Sequence, residues 1–328
     1  MFDTTEIKKI GIFRALQLGD LMCAIPAMRS LKQAFPAAEI TLIGLPWAES
    51  FTKRFAHYFS SFIIFPGYPG LPEQGFDKKS FETFQHQMKN QHFDILFQLQ
   101  GNGTIVNPMI KKLGARYTVG FDPYEDSITE KTRFLKYPDY GHEIDRHMAL
   151  MSFIGVKTEN CELEFPLYDT DRDEFKSLSL PIEKNKYVCV HPGSRGTWRQ
   201  WPPLYFANIA DYCHTLGYKV LLTGTANELQ LVKHVASLMN NKPIIAAGKT
   251  SLGTLGVLIE ESYAIICNCT GVSHIASALE KPAVVISMDD EPWRWAPKND
   301  ELQRCINWNK NPEYNQVFKE VAALFFRL

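Results

Sequence analysis

The 328-residue chain is 45% hydrophobic and carries a formal net charge of −1. That suits two α/β domains of ordinary size and excludes the basic surface that nucleic acid requires. Its seven cysteines are odd in number and several lie inside apolar runs, the pattern of buried thiols in a reducing compartment. No apolar run reaches the roughly 18 residues of a membrane span and the opening MFDTTEIKK has no signal-peptide core, so a cytoplasmic protein is expected.

Lys9 to Ala15 reads as a first strand, with Leu16-Gln17-Leu18-Gly19-Asp20 as the loop at its carboxyl end and a helix running on to about Ala34. Proline suits a first helical position and clashes further in. The regular helix is therefore expected to start near Pro26, leaving Asp20 on an irregular connector at the mouth of the sheet. Strands follow at Glu39 to Gly44, Ser61 to Phe65, Asp94 to Leu99 and Tyr117 to Phe121, with a helical stretch near Phe81 to Asn90. Residues 122–141 are polar and charged and read as a long surface loop. His142 to Ile154 is a helix. Its His142 and His147 stand five apart, off a common face, so no metal pair is expected there.

The composition turns charged between Asp169 and Lys184. The domain boundary is placed there, giving domains 1–172 and 173–328. Strand–helix alternation then restarts. It runs through a strand from Tyr187 to Val190, a helix opened by Trp201-Pro202-Pro203, a strand from Lys219 to Thr223, a helix to Met239, a strand from Ile244 and a helix from Leu252 to Ile259. Ala264 to Ser287 continues as strand, tight turn Asn268-Cys269-Thr270-Gly271, short helix and strand. Thr270 is the expected N-cap. The first helical N–H groups behind Gly271 attract an anion, phosphate above all, and His274 falls one turn in on the same side. A last helix, Pro312 to Leu328, turns Val317, Val321, Leu324, Phe325 and Leu328 to one face. Alternation in both halves predicts two Rossmann-like, doubly wound parallel sheets of α/β class facing a central cleft, with ligands at the carboxyl ends of the strands.

Four of those strand-end loops carry chemistry: Leu18-Gly19-Asp20, His191 to Trp201, Gly224 to Glu228, and Asn268 to His274. The surrounding pieces are R-x-x-x-LGD-x-x-x-x-x-P at Arg14 to Pro26, L-K-x-x-F-P-x-A-x-I at Leu31 to Ile40 and HPGS-x-x-x-x-R-x-WP at His191 to Pro202. TG-x-x-x-E at Thr223 to Glu228, SL at Ser251 and N-x-TG-x-SH-x-A-x-AL at Asn268 to Leu279 complete the set. In this order the pieces resemble glycosyltransferase family 9, the ADP-heptose:lipopolysaccharide heptosyltransferases, over the whole chain.

The resemblance implies a GT-B architecture. The N-terminal domain takes the acceptor, the C-terminal domain takes the sugar nucleotide, and helix 312–328 crosses back onto the N-terminal domain. It implies inverting, metal-independent transfer of a sugar, heptose from ADP-heptose, onto a lipopolysaccharide-type or other surface glycan. That acceptor implies peripheral contact with the inner membrane face; no cofactor is implied. Asp20 matches the catalytic base. Arg199 stands where the family has a pyrophosphate-binding Lys, and its fork keeps the charge. Glu228 matches the carboxylate on the ribose hydroxyls, and Thr250 a residue whose main chain lies against adenine. Ser194 belongs to the donor side through the HPGS piece, and Thr270, Gly271 and His274 match the diphosphate-binding turn.

Cys269 departs from the pattern, because the family usually has an Asp there on the donor sugar. Two further readings therefore stay open: a degenerate sugar-nucleotide-binding protein, and another reaction on the same fold such as sugar-nucleotide epimerisation. A nicotinamide dehydrogenase is not expected, since no G-x-G-x-x-G follows the first strand of either half. Taken singly, Asp20 and Glu228 are also ordinary helix-start carboxylates. Arg199 could be a surface charge beside Trp198 and Trp201, and His274 a core residue.

Overall fold

A computed structural model describes residues 2–326, and the chain divides into two compact units, Met1–Glu162 and Leu163–Leu328.

In the first unit the elements run β1 (Lys9–Phe13), α1 (Leu18–Ala34), β2 (Glu39–Gly44), α2 (Ala48–Arg54), β3 (Ser61–Ile64) and α3 (Lys78–Gln91). They continue with β4 (Ile95–Gln98), α4 (Val106–Ile110), β5 (Tyr117–Asp122), β6 (Ser127–Ile128), β7 (Thr132–Lys136) and α5 (Glu143–Phe153). The described strands form one sheet in the order β3-β2-β1-β4-β5-β7-β6, with every pairing parallel except β6 with β7. Both faces are covered, so β1 and β4 read as short continuous apolar runs with Ile10, Ile12, Ile95 and Phe97 fully buried.

Two expectations are corrected here. Helix α1 starts at Leu18 and carries Pro26 in its interior. An interior proline costs about 3 kcal/mol or more in isolation. The run from Leu21 to Met28 is buried throughout, and that packing holds the helix through the proline. Residues 122–141 are not a loop but hold the hairpin β6–β7. Thr129 and Thr132 close its turn through both a backbone bond and their hydroxyls, 2.6 Å apart. Only Phe134 of β7 is buried, so the strand shows the sparse apolar content of a sheet margin.

The second unit contains α6 (Asp169–Ser177), β8 (Tyr187–His191), α7 (Pro203–Thr215), β9 (Lys219–Leu222), α8 (Leu229–Leu238), β10 (Ile244–Ile245) and α9 (Leu252–Glu261). Then come β11 (Ala264–Asn268), α10 (Gly271–Ala278), β12 (Ala283–Ser287), α11 (Pro292–Trp295), β13 (Gln303–Asn307) and α12 (Tyr314–Phe325). The sheet is parallel with order β10-β9-β8-β11-β12-β13. The charged stretch after Asp169 is a helix of this unit, tied to α9 by a two-pronged Arg172–Glu260 pair at 2.6 and 3.1 Å. Helix α12 buries Val317, Val321 and Leu324 in the core of the second unit, beside Trp201 and Trp308. Leu328, expected on the same face, lies outside the described residues.

Candidate active site

The order of the second sheet places β8 beside β11, and the connections leaving them run to opposite sides, β8 on toward β9 and β11 on toward β12. A crevice therefore opens at their carboxyl ends, the usual ligand position of such sheets. One buried side chain joins its two walls. Asn268, the last residue of β11, accepts the Trp201 N–H at 3.0 Å and donates to the carbonyls of Pro192 and Gly193 at 2.8 and 3.3 Å. Trp201 itself is fully buried, edge-on to Trp308 and stacked with Tyr314. The HPGS-to-WP loop is thus pinned at both ends over the start of α10.

Thr270 occupies the N-cap position of α10 with extended backbone, but its hydroxyl does not cap the helix as expected. The Ser273 N–H turns instead to the Thr270 carbonyl at 2.9 Å. The N–H groups of Gly271 and Val272 precede the first intrahelical bond and stay available to an anion. Ser194 is 6% exposed in the loop above, held by Gln200, which donates to its carbonyl. His274 is 3% exposed, within the unit's interior rather than at its surface.

Cys269 is buried, and its thiol donates to the Trp295 carbonyl at 3.7 Å. Contact with the Cys305 thiol, burial and the Asp289 carboxylate hold it well above the ordinary thiol range, so it stays protonated. An Asp at this position would be buried beside a second carboxylate.

Glu228 closes a turn of its own. Its Oε2 accepts from the N–H and hydroxyl of Thr225 at 2.7 and 2.9 Å. The same carboxylate lies against the α-carbon of Gly193, where a Cβ would meet Oε1 at 2.1 Å. Glycine in the HPGS piece therefore leaves room for the carboxylate. Thr250 is half-buried on the neighbouring loop after β10. That loop is bound to the Glu228 turn by Gly248, whose N–H donates to the Gly224 carbonyl at 2.9 Å. Ser251 caps α9 by accepting the Thr254 N–H at 3.1 Å and donates its hydroxyl to Glu174.

His191 ends β8 beneath these loops, with Nδ1 3.0 Å from the Thr223 hydroxyl. Burial pushes its pKa below the usual 6.5, against an opposing pull from Glu228. A folded-state pKa below the unfolded one means that the unfolded chain takes up the proton first. Its contribution to stability is full above about pH 6.5 and declines as the pH falls below that value. Between about pH 7.5 and pH 5.5, the melting temperature of the wild type should fall further than that of His191→Gln. Equal falls would show that His191 does not titrate on unfolding.

Arg199 ends a 3-10 turn, Thr197–Arg199, at the rim of the crevice. Its guanidinium lies 4.6 Å over the Trp198 ring, and Nη2 reaches Asp289 Oδ2 at 3.2 Å. Among the described residues no group of His, Cys, Asp and Glu is arranged to hold a metal ion.

In the first sheet the equivalent switch point lies between β1 and β4, and Asp20 stands there. It is not on a connector but in the first turn of α1, where Oδ2 accepts the Gln17 N–H at 3.3 Å. The carboxylate is a cap and is still 24% exposed. Behind it lies a group that sequence reasoning missed. Arg14, fully buried, donates to the Asp20 carbonyl at 2.7 Å, to the Leu99 carbonyl and to Glu143 Oε1 at 3.1 Å, with Asp20 Oδ1 at 3.7 Å. Glu143 also faces Arg146 and His147, each at 3.4 Å. Arg14 heads the R-x-x-x-LGD piece, and its place in that motif was the available signal. Asn268 and Asp289 were the other two omissions.

Two doubly wound, mostly parallel sheets in succession, each with its chemistry-bearing residues at a switch point, are the GT-B architecture. The chain belongs to glycosyltransferase family 9: the family profile described as "Glycosyltransferase family 9 (heptosyltransferase)" matches residues 82–322. It is 24% identical over 332 residues to the lipopolysaccharide core heptosyltransferase OpsX of Haemophilus influenzae, covering 97% of this chain and 90% of that protein. The family 9 glycosyltransferase of Veillonella parvula superposes with a TM-score of 0.78 at 20% identity, over 98% of both chains. The ADP-heptose lps heptosyltransferase II of E. coli gives 0.74 at 19% identity, over 98% of this chain and 99% of that one. At such identities the structural likeness speaks for the fold.

Proposed function

We propose that this enzyme moves a heptose from ADP-heptose onto a lipopolysaccharide-type acceptor, by a single displacement with inversion and without a metal ion. The observation that carries the reading is the crevice between β8 and β11. The loops at those strand ends carry an uncapped helix start, a guanidinium and a hydrogen-bonded carboxylate that lies against Gly193, and Asn268 fastens the loop from Pro192 to Trp201. The names of relatives point the same way, to heptose and to lipopolysaccharide.

In this reading adenine lies along the backbone at Thr250 and the ribose hydroxyls donate to Glu228. The diphosphate meets the N–H groups behind Thr270 and the side chain of Arg199, while Ser194 and His274 line the same loops and Cys269 borders the sugar. Asp20 takes the proton of the acceptor hydroxyl as its oxygen attacks the anomeric carbon. The bond from that carbon to the diphosphate breaks with both electrons, and ADP leaves. The growing negative charge falls on fixed amide dipoles and a guanidinium, which were oriented before the reaction. The acceptor places the enzyme at the inner membrane face as a peripheral partner; no helix among the described residues is long and apolar enough to cross a membrane.

Thermal stabilisation by a panel of nucleotides and their sugars, in the presence of a chelator, tests the donor. A ligand at about 100 times its Kd stabilises by about 2.7 kcal/mol, and ADP with ADP-heptose should lead the panel. Stronger stabilisation by GDP or UDP compounds, or dependence on a divalent ion, would overturn the assignment.

A further inference from the structure

We infer that Asp289 is a positioning residue for diphosphate binding, acting through Arg199; this rests on the donor reading above. A guanidinium on a turn at a crevice rim has many rotamers to lose on binding. Here that freedom is already restricted. Asp289 follows β12, two residues past its end, and its side chain is 5% exposed against 37% for Arg199. Its Oδ1 accepts the Ser287 hydroxyl at 2.8 Å and the Glu291 N–H at 3.3 Å. Those two bonds aim Oδ2 at Arg199 Nη2, 3.2 Å away. Trp198 covers one face of the guanidinium at 4.6 Å. The Arg199 Nε–H is buried and has no hydrogen-bond partner among the described residues.

The Cys269 N–H donates to the Ile286 carbonyl at 2.8 Å, so the chain that carries Asp289 three residues further on leaves the sheet beside the turn that opens α10. Anchored inside by Asp289 and still 37% exposed, the guanidinium keeps N–H groups that the pair does not use. A negative charge beside a diphosphate site would on Coulomb grounds oppose the ligand. Orientation and charge therefore predict opposite signs for its removal.

The test is calorimetric titration of ADP and of adenosine into wild type, Asp289→Asn, Arg199→Gln and the double variant. Asp289→Asn keeps the shape and both incoming hydrogen bonds can still find its Oδ1. If Asp289 positions Arg199, Asp289→Asn weakens ADP by about tenfold, leaves adenosine unchanged, and adds nothing in the Arg199→Gln background, since neighbouring effects that act as a unit do not add. Tighter or unchanged ADP binding by Asp289→Asn would overturn the inference, as would an equal loss in the Arg199→Gln background. Should Asp289→Asn fail to fold, Asp289→Glu serves, because a longer carboxylate keeps the charge and shifts the guanidinium; ADP binding like wild type would then overturn it. Wild type that binds no ADP would bring down the donor reading itself, a different result from a wild type that binds and a variant that does not differ.

Discussion

Replacing Asp20 by Asn is expected to lower kcat by about 10²–10⁴, the range for loss of a general base, with ADP affinity almost unchanged. The amide oxygen can still accept the Gln17 N–H that closes the first turn of α1, and Arg14 keeps its bonds to the Asp20 and Leu99 carbonyls. The helix start should therefore survive while the group that accepts a proton is lost. Turnover equal to the wild type would leave Asp20 with its capping role alone. A matching loss of ADP affinity would show that the substitution had disturbed more than proton transfer.

Asn268→Leu should cost about 2–6 kcal/mol of stability, because it leaves the buried Trp201 N–H and Pro192 carbonyl without partners at about 1–3 kcal/mol each. A leucine has nearly the right volume, so the loss comes from unmet hydrogen bonds more than from a cavity. The variant that remains folded should also bind ADP more weakly, since the HPGS loop loses its tie to the start of α10. Denaturant unfolding measures the first effect and calorimetry the second. A stability change under about 0.5 kcal/mol, the level of an ordinary surface substitution, would mean that water or a neighbouring group replaces Asn268.

The strand–helix alternation was legible because parallel strands covered on both faces are written as plain apolar runs, as at Ile10 to Phe13 and Ile265 to Cys267. What was misread lay where burial is partial. Strand β7 buries only Phe134, with Leu135 half-buried beside it, and β13 buries only Gln303 and Ile306, so neither shows a long apolar run. The position of Asp20 was misplaced for a different reason. A local rule about proline was overridden by the packing of a helix buried on most of its surface.

At the site, each short motif was visible where the residues are close in sequence. The bonds that assemble them are not. Asn268 meets Trp201 across 67 positions and Arg14 meets Glu143 across 129, and nothing in either neighbourhood names the other. Asp289 is hidden in the same way: it stands in an acidic turn that reads as surface, yet its carboxylate is buried on Arg199.

Release of ADP from ADP-heptose, followed with and without a heptose-deficient lipopolysaccharide acceptor in the presence of a chelator, tests the central claim most directly. ADP release should require the acceptor, persist with the chelator and be accompanied by an acceptor one heptose heavier. ADP-heptose left intact with acceptor present, or consumed equally well without it, would contradict the account.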